Sequence, residues 1–339
     1  MNVTKQQGFA LILVLWVLSL LIIMAGSFAL NMRRETAVAA GVKANAQAMA
    51  LAESGVAVAE LMLLHPEVNK RWRADGSVYE IDFTDAQVRI QMLAEVGKID
   101  INNASEELLQ ALINHVVDDE GRQTKLVNAI LDWRDADDLA RPDGAEKNEY
   151  KKAGLNYQPR NKRFRAIEEL QLVQGISEDV YQALVPVITS YSGKDVDLQQ
   201  ASRAVLEIIP TLNAKYIDQY LAARFNSAVN GLPSPSTALL TAGELNADDL
   251  NLTPSESSAT ELSEQAPVSA GVTEIIAEVH LQDGASATLS VVVEKTEGVG
   301  TNPFKVIKWR SNQHLEQSLF FDDENNLLVK QYAEPEFNN

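Results

Sequence analysis

Between Phe9 and Leu30 the chain reads FALILVLWVLSLLIIMAGSFAL without one charged residue, and roughly 20 apolar residues are enough to carry a helix across a bilayer. Backbone polar groups in hydrocarbon must satisfy one another, so such a run is constrained to be helical. A secretory signal peptide is the competing reading, but its apolar region spans only about 7 to 15 residues and ends in a small-residue cleavage site. Residues 9–30 therefore read as a membrane span. Two whole-chain properties narrow what the rest can be. A net charge of -18 argues against a duplex nucleic-acid partner, because phosphate binding is driven by lysine and arginine displacing counterions. The absence of cysteine excludes disulfides, thiolate metal sites and a cysteine nucleophile, and fits an oxidising compartment as well as the cytosol.

Behind the span, a stalk is expected over 31–65; its residues 36–64 are alanine-rich, with Val38, Val42, Met49, Ala52, Val56, Ala59 and Leu63 at spacings of three, four and seven. The helix is expected to continue until His65-Pro66 stops it, giving a rod of ~85 Å at 1.5 Å per residue. Alanine at so many apolar positions suits close packing, either against the chain's own globular part or against neighbouring subunits.

A short polar leader, residues 1–8, carries Lys5 and ends in glycine, so that Gly8-Phe9 stands immediately before the apolar run. Lys5 and the Arg33-Arg34 pair nearly balance in the charge rule for orientation. The leader resembles a prepilin peptidase site, and with the apolar rod the N-terminal region resembles the pilins and pseudopilins. That resemblance implies cleavage after Gly8, methylation of the new amine of Phe9, a cytoplasmic N-terminus in a bacterial inner membrane, and a chain that is otherwise periplasmic. Members of that family usually carry a glutamate as the fifth residue of the mature chain, where it meets the N-terminal amine of an adjacent subunit; buried charge is tolerable only when paired. Here that position is Leu13. A subunit with no neighbour above it does not need the carboxylate, which suggests the tip of a filament.

The body of the chain divides by pattern. In residues 66–98, Tyr79-Ile81-Phe83 and Val88-Ile90-Met92 alternate with polar neighbours around Thr84-Asp85 and predict a hairpin. Matching strands are predicted at 273–281, 287–295 and 304–310, within a C-terminal portion spanning 273–339. A hydrophobic helix with an antiparallel sheet is the architecture of a pilin head, which makes the intervening residues an insertion. The predicted class is thus α+β, pilin-like, with a large inserted helical domain of two SAM-like or helix-hairpin-helix-like subdomains, 99–195 and 196–225. Their relation rests on IDINNASEELLQAL at 99–112 aligning with VDLQQASRAVLEII at 196–209. In each, a polar run with serine precedes an apolar-periodic helix, a start signal. Residues 226–272 are rich in Ser, Thr, Pro and acidic groups and are predicted to be a polar linker or loop, with a short helix within 238–252.

The segment 168–188 resembles a helix-hairpin-helix around Gly175-Ile176-Ser177. DNA-binding versions normally place a second glycine where Ser177 stands, and Glu178 and Asp179 make this hairpin negative. It reads as a packing motif rather than a phosphate clamp.

Between 118 and 149 carboxylates are dense, and Asp135, Asp137 and Asp138 gather at the negative pole of the helix that holds Leu126, Ile130 and Trp133. A cation would relieve that, and hard oxygen ligands point to calcium. Counting from Asp135, Asp137 and Glu146 fall at the third and twelfth positions of an EF-hand loop, but Leu139 and Ala140 replace the fifth-position ligand and the sixth-position glycine. Spacing alone does not separate a calcium site from a solvated loop neutralised by Arg134, Arg141 and Lys147. The four histidines, His65, His115, His280 and His314, show no metal spacing. Trp133 and Trp309 are expected to be core anchors.

The stretch 129–150 (AILDWRDADDLARPDGAEKNEY), followed by NYQPRNKRF at 156–164 and IEELQLVQGI at 167–176, resembles the helical insertion of the K minor pseudopilins of type II secretion systems. That resemblance implies a calcium-stabilised insertion with Asp135, Asp137, Asp138 and Glu146 as matching ligands and Asp132 and Glu149 as further ones. It also implies a complex with the I and J minor pseudopilins, contact with the major pseudopilin filament and prepilin peptidase, and a place at the pseudopilus tip, where the chain initiates assembly for export of folded proteins. No catalytic triad is visible, and a non-enzymatic assembly role is expected. A signal-anchored periplasmic module, a minor pilin of another filament and a DNA-uptake protein are the competing classes.

Overall fold

A computed structural model of the chain describes residues 9–83, 85–193, 195–241, 271–296, 302–311, 318–320 and 328–329. The first helix, α1, runs unbroken over Phe9–Leu63, and His65-Pro66 follows it as expected of a proline stop. It is the one helix among the described residues that is long and apolar enough to cross a membrane. Gly8 lies outside the described residues. Leu13 stands exposed on α1, as does Trp16.

The alanine row splits in two. Ala48, Ala52, Val56, Ala59 and Met62 are buried, whereas Val38 and Val42 remain 66% and 65% exposed. Packing therefore begins about two-thirds of the way along the rod, near Ala44 and Ala48, where α1 meets a sheet. At Gly55 the approach is tight enough that a methyl group there would lie 2.9 Å from Val88 Cγ1.

The sheet has six strands in the order β7-β6-β5-β2-β1-β8. β1 (Asp75–Phe83) and β2 (Ala86–Ala94) form the predicted hairpin, with Phe83 opposite Ala86; Asp85 is in the turn and Thr84 lies outside the described residues. β5 (Val272–Leu281), β6 (Ser286–Lys295) and β7 (Phe304–Ser311) continue it antiparallel, and β8 (Leu328–Val329) pairs parallel with β1. Because Ala94 at the end of β2 sits opposite Thr273 at the start of β5, the chain leaves the sheet and returns to it on neighbouring strands. Everything between is a true insertion.

That insertion begins with β3 (Ile99–Asp100), paired parallel to β4 (Ile188–Thr189). Its helices are α2 (Glu106–Val116), α3 (Glu120–Arg134), α4 (Lys147–Lys152), α5 (Glu178–Leu184), α6 (Arg203–Ile208) and α7 (Ala214–Val229). The two aligned segments share their local build. Ser105 and Ser202 cap α2 and α6 by accepting from the amides of Leu108 (3.2 Å) and Val205 (3.4 Å). Asp100 and Asp197 each accept from the amide two residues on, at 2.8 and 2.9 Å. Both segments nevertheless feed one contiguous apolar cluster that extends from Ile99 to Leu240, so the helical region has a single core rather than one for each predicted subdomain.

Three expectations are corrected. The stretch from 226 is not a linker throughout: α7 extends to Val229, Thr237–Leu240 form a 3-10 turn, and Leu240 is 1% exposed, anchoring this polar segment to the helical core. Residues 242–270 lie outside the described residues, and Val272 already belongs to β5. Trp309 is not a core anchor but 49% exposed, because β7 is an edge strand beyond the cover of α1.

Candidate functional site

α3 is apolar along most of its second half, and Trp133 near its end is 1% exposed, with ring centroids 6.1 Å from both Tyr150 and Phe164. This packing fixes the helix end on which the acidic loop is built. Arg134 lies within reach of the charge of Asp135 but spends its hydrogen bonds elsewhere. Its guanidinium donates to the carbonyls of Ile101 and Ala104, each at 2.6 Å, and so ties the loop's origin to the turn after β3.

Asp132 is fully buried and organises the turn that follows. Its Oδ2 accepts from the amides of Arg141 (3.2 Å) and Ala145 (2.9 Å), and its Oδ1 accepts from Arg141 Nη1 (2.9 Å). A methyl group at Gly144 would lie 2.1 Å from Asp132 Oδ2. The Asp143-Gly144 turn, with Asp143 at a φ of 58°, thus closes directly over the carboxylate.

Asp135 caps the C-terminus of α3. Its Oδ2 meets Arg141 Nη1, while its Oδ1 is buried without a partner. Glu146 is 4% exposed and stands at the N-cap of α4, where its carboxylate faces the first amides of the helix in a capping box with Glu149, but neither oxygen makes a hydrogen bond of full geometry with the described residues. Burial, followed by the nearby carboxylates of Asp132, Asp135 and Asp138, pushes its pKa up to about 7. Orphaned buried oxygens of this kind cost free energy unless a donor or a cation meets them.

The remaining acidic residues lie further out. Asp137 accepts from the amide of Leu139 at 2.9 Å, and Asp138 accepts from Asn161 Nδ2 at 2.8 Å; both are exposed. Glu149 takes Lys152 on one oxygen at 3.1 Å and the amide of Glu146 on the other at 3.3 Å. The geometry thus brings Asp132, Asp135 and Glu146 toward one another and leaves Asp137, Asp138 and Glu149 at the rim. Among the described residues, no three His, Cys, Asp or Glu side chains are close enough to hold a metal ion as they stand. The unpartnered oxygens of Asp135 and Glu146 still fit a hard cation, which prefers several carboxylate and carbonyl oxygens in a flexible shell.

A second charged cluster lies where the insertion leaves the sheet, and nothing in the local sequence announces it. Lys98 Nζ sits 2.8 Å from Glu95 and 2.6 Å from Glu274 on β5, all three nearly buried. Glu274 also accepts from Ser290 Oγ (2.6 Å) and Arg310 Nη2 (2.8 Å) on β6 and β7. Burial alone pushes Glu274 upward, but the charge of Lys98, its hydrogen bond, Ser290 and Arg310 outweigh it and hold the pKa at about 2. The hairpin at Gly175-Ile176-Ser177 is packed against α3, where Arg122 Nη2 donates to Ser177 Oγ at 3.2 Å and to the Gly175 carbonyl at 3.4 Å.

The family model for "Type II secretion system (T2SS), protein K" matches residues 88–193, which run from within β2 through the acidic loop to just beyond β4. Over this stretch the chain is similar to the protein K family of type II secretion systems. Among protein K relatives, the one from Pectobacterium carotovorum subsp. carotovorum is 25% identical over 134 residues, 40% of each chain. The one from Klebsiella pneumoniae is 24% identical over 225 residues, 60% of this chain and 69% of its own. The match with the first therefore spans less than half of that relative's length. A chain in the crystal structure of the GspK-GspI-GspJ complex from enterotoxigenic Escherichia coli superposes over 84% of this chain and all of its own, at 15% identity and a TM-score of 0.46, too low to carry an argument.

Proposed function

We propose that the chain is a minor pseudopilin at the tip of the type II secretion pseudopilus, where it initiates assembly. The observation that carries this reading is a stretch matching the protein K model that begins in β2 and continues through the first part of the insertion, on a sheet that packs against a membrane-length helix. In this account the fold is pilin-like, the leader is cut after Gly8 and Phe9 is methylated. α1 is then held in the inner membrane with the bulk of the chain periplasmic. The exposed part of the rod, which includes Val38 and Val42, recruits the I and J minor pseudopilins and then the major filament. Leu13 offers no carboxylate to a subunit above. The helical insertion adds bulk that stops stacking and presents an acidic top to cargo or to the outer-membrane channel. The role is structural rather than enzymatic.

In the same account calcium binds the acidic loop. Asp135 and Glu146 are the inner ligands, supported by their unpartnered oxygens, and Asp132, Asp137, Asp138 and Glu149 complete or surround the shell. The test of the tip role is co-purification of the full-length chain from detergent-solubilised membranes that also hold the I and J minor pseudopilins. Recovery of all three together is expected, and recovery of this chain alone, with I and J unbound, contradicts the proposal. Leu13→Glu should leave secretion nearly unchanged; conversion of the variant into a filament-body subunit would count against the tip assignment.

A further inference from the structure

We infer that Arg141 is a built-in substitute for the divalent cation, holding the acidic loop when no ion is bound and yielding when one arrives, and so setting how tightly the ion is held. This rests on the calcium reading of the loop. Asp132 and Asp135 are separated by three positions across the end of α3, and a single nitrogen, Nη1 of Arg141, touches a carboxylate oxygen of each. Close to those carboxylates, Asp135 Oδ1 and both oxygens of Glu146 are buried and make no full hydrogen bond with the described residues, Glu146 having only the first amides of α4 before it. One internal cation thus satisfies part of the cluster, and among the described residues no second cation meets the three remaining oxygens.

The guanidinium, not the turn that carries it, is the part free to leave. The Arg141 backbone is pinned by its own amide to Asp132, and Gly144 rides so closely on Asp132 that the turn has no room to shift inward. The Arg141 side chain, by contrast, is 36% exposed beside an Asp132 side chain that is 0% exposed, so it has solvent to move into. A divalent ion drawing on Asp135 and Glu146 lies within a few ångströms of the guanidinium, and like charges at that distance repel strongly where water is scarce. Its departure frees Asp135 Oδ2 and Asp132 Oδ1 to join the shell, which suits the six to eight oxygens calcium takes.

The test uses the full-length protein in detergent, titrated with calcium chloride by calorimetry and melted with and without calcium while tryptophan fluorescence is followed. Arg141→Gln is expected to bind calcium about tenfold more tightly than the wild type, because a partly buried ion pair no longer has to be broken first. It should also melt lower without calcium and gain more from it. Arg141→Lys keeps the charge but must bring a single ammonium on a shorter side chain to the two oxygens that Nη1 meets, and should fall between. If the glutamine variant folds only with calcium, the lysine variant decides: tighter binding than wild type supports the inference and equal binding overturns it. Equal or weaker calcium binding by a folded Arg141→Gln overturns the role of Arg141 and leaves the calcium site standing. Absence of calcium binding in the wild type and both variants removes the site and this inference together.

Discussion

Replacing Lys98 by methionine removes the cation between Glu95 and Glu274 while keeping most of the side-chain volume. The side chains of Lys98, Glu95 and Glu274 are 6%, 4% and 9% exposed, so the two carboxylates cannot recover their loss from water. Breaking a buried pair by deleting one partner costs roughly 3–5 kcal/mol. The lower end applies here, because Glu274 keeps Arg310 at 2.8 Å and Ser290 at 2.6 Å. At roughly 2–4 °C per kcal/mol for a domain of this size, thermal unfolding of the full-length protein in detergent should move down by about 6–12 °C. Acid provides a second reading of the same cluster. Glu274 lies near 2 when folded against an ordinary value of 4.5. A carboxylate with a depressed pKa contributes stability that is present above its unfolded value and lost as pH falls toward its folded value. The wild type should therefore lose about 3 kcal/mol between pH 4.5 and 2 on account of this residue, and Glu274→Gln should flatten that part of the profile. A Lys98→Met melting temperature within a degree of wild type, or an unchanged acid profile in Glu274→Gln, would show that the junction is not held by these charges.

Two further perturbations probe the frame around the site. Gly55→Leu must push a side chain into Val88, whose Cγ1 already lies 2.9 Å from where a first carbon would sit; overpacking of this kind costs about 1–3 kcal/mol, and the melting temperature should fall accordingly while α1 itself keeps its helical circular dichroism. Ser202→Ala and Ser105→Ala each remove a helix cap, worth about 1 kcal/mol; because both caps serve one contiguous core, both should lower a single unfolding transition, and two separate transitions would contradict the single core.

Much of this was legible before the structure, for identifiable reasons. The uncharged run and its alanine-rich continuation leave few alternatives to one helix; β1 and β2 announce themselves by alternation on either side of a Thr-Asp turn, and β5, β6 and β7 by short runs rich in β-branched and other apolar residues. Ser105 and Ser202 were readable as caps because capping is local. What could not be read depends on distant partners. Lys98 and Glu274 lie far apart in sequence and meet only through the register of β2 and β5. β3, β4 and β8 are two residues long, too short for any period to register. Leu240 is buried within a stretch whose composition is that of a loop. In the acidic loop the residues were readable but their division was not. The sequence made Arg134 and Arg141 equivalent counter-ions, whereas Arg134 serves two carbonyls and Arg141 alone bridges carboxylates. The need for Gly144, as clearance over a buried Asp132, was not visible in the sequence.

The central claim is that the N-terminal rod is a processed pseudopilin helix rather than an uncut anchor, and the most direct measurement is the intact mass of the membrane-extracted protein from cells with and without prepilin peptidase. The account predicts loss of residues 1–8, with a methyl group on Phe9, only where the peptidase is present. An identical, uncleaved mass in both would contradict it and reduce α1 to a signal anchor.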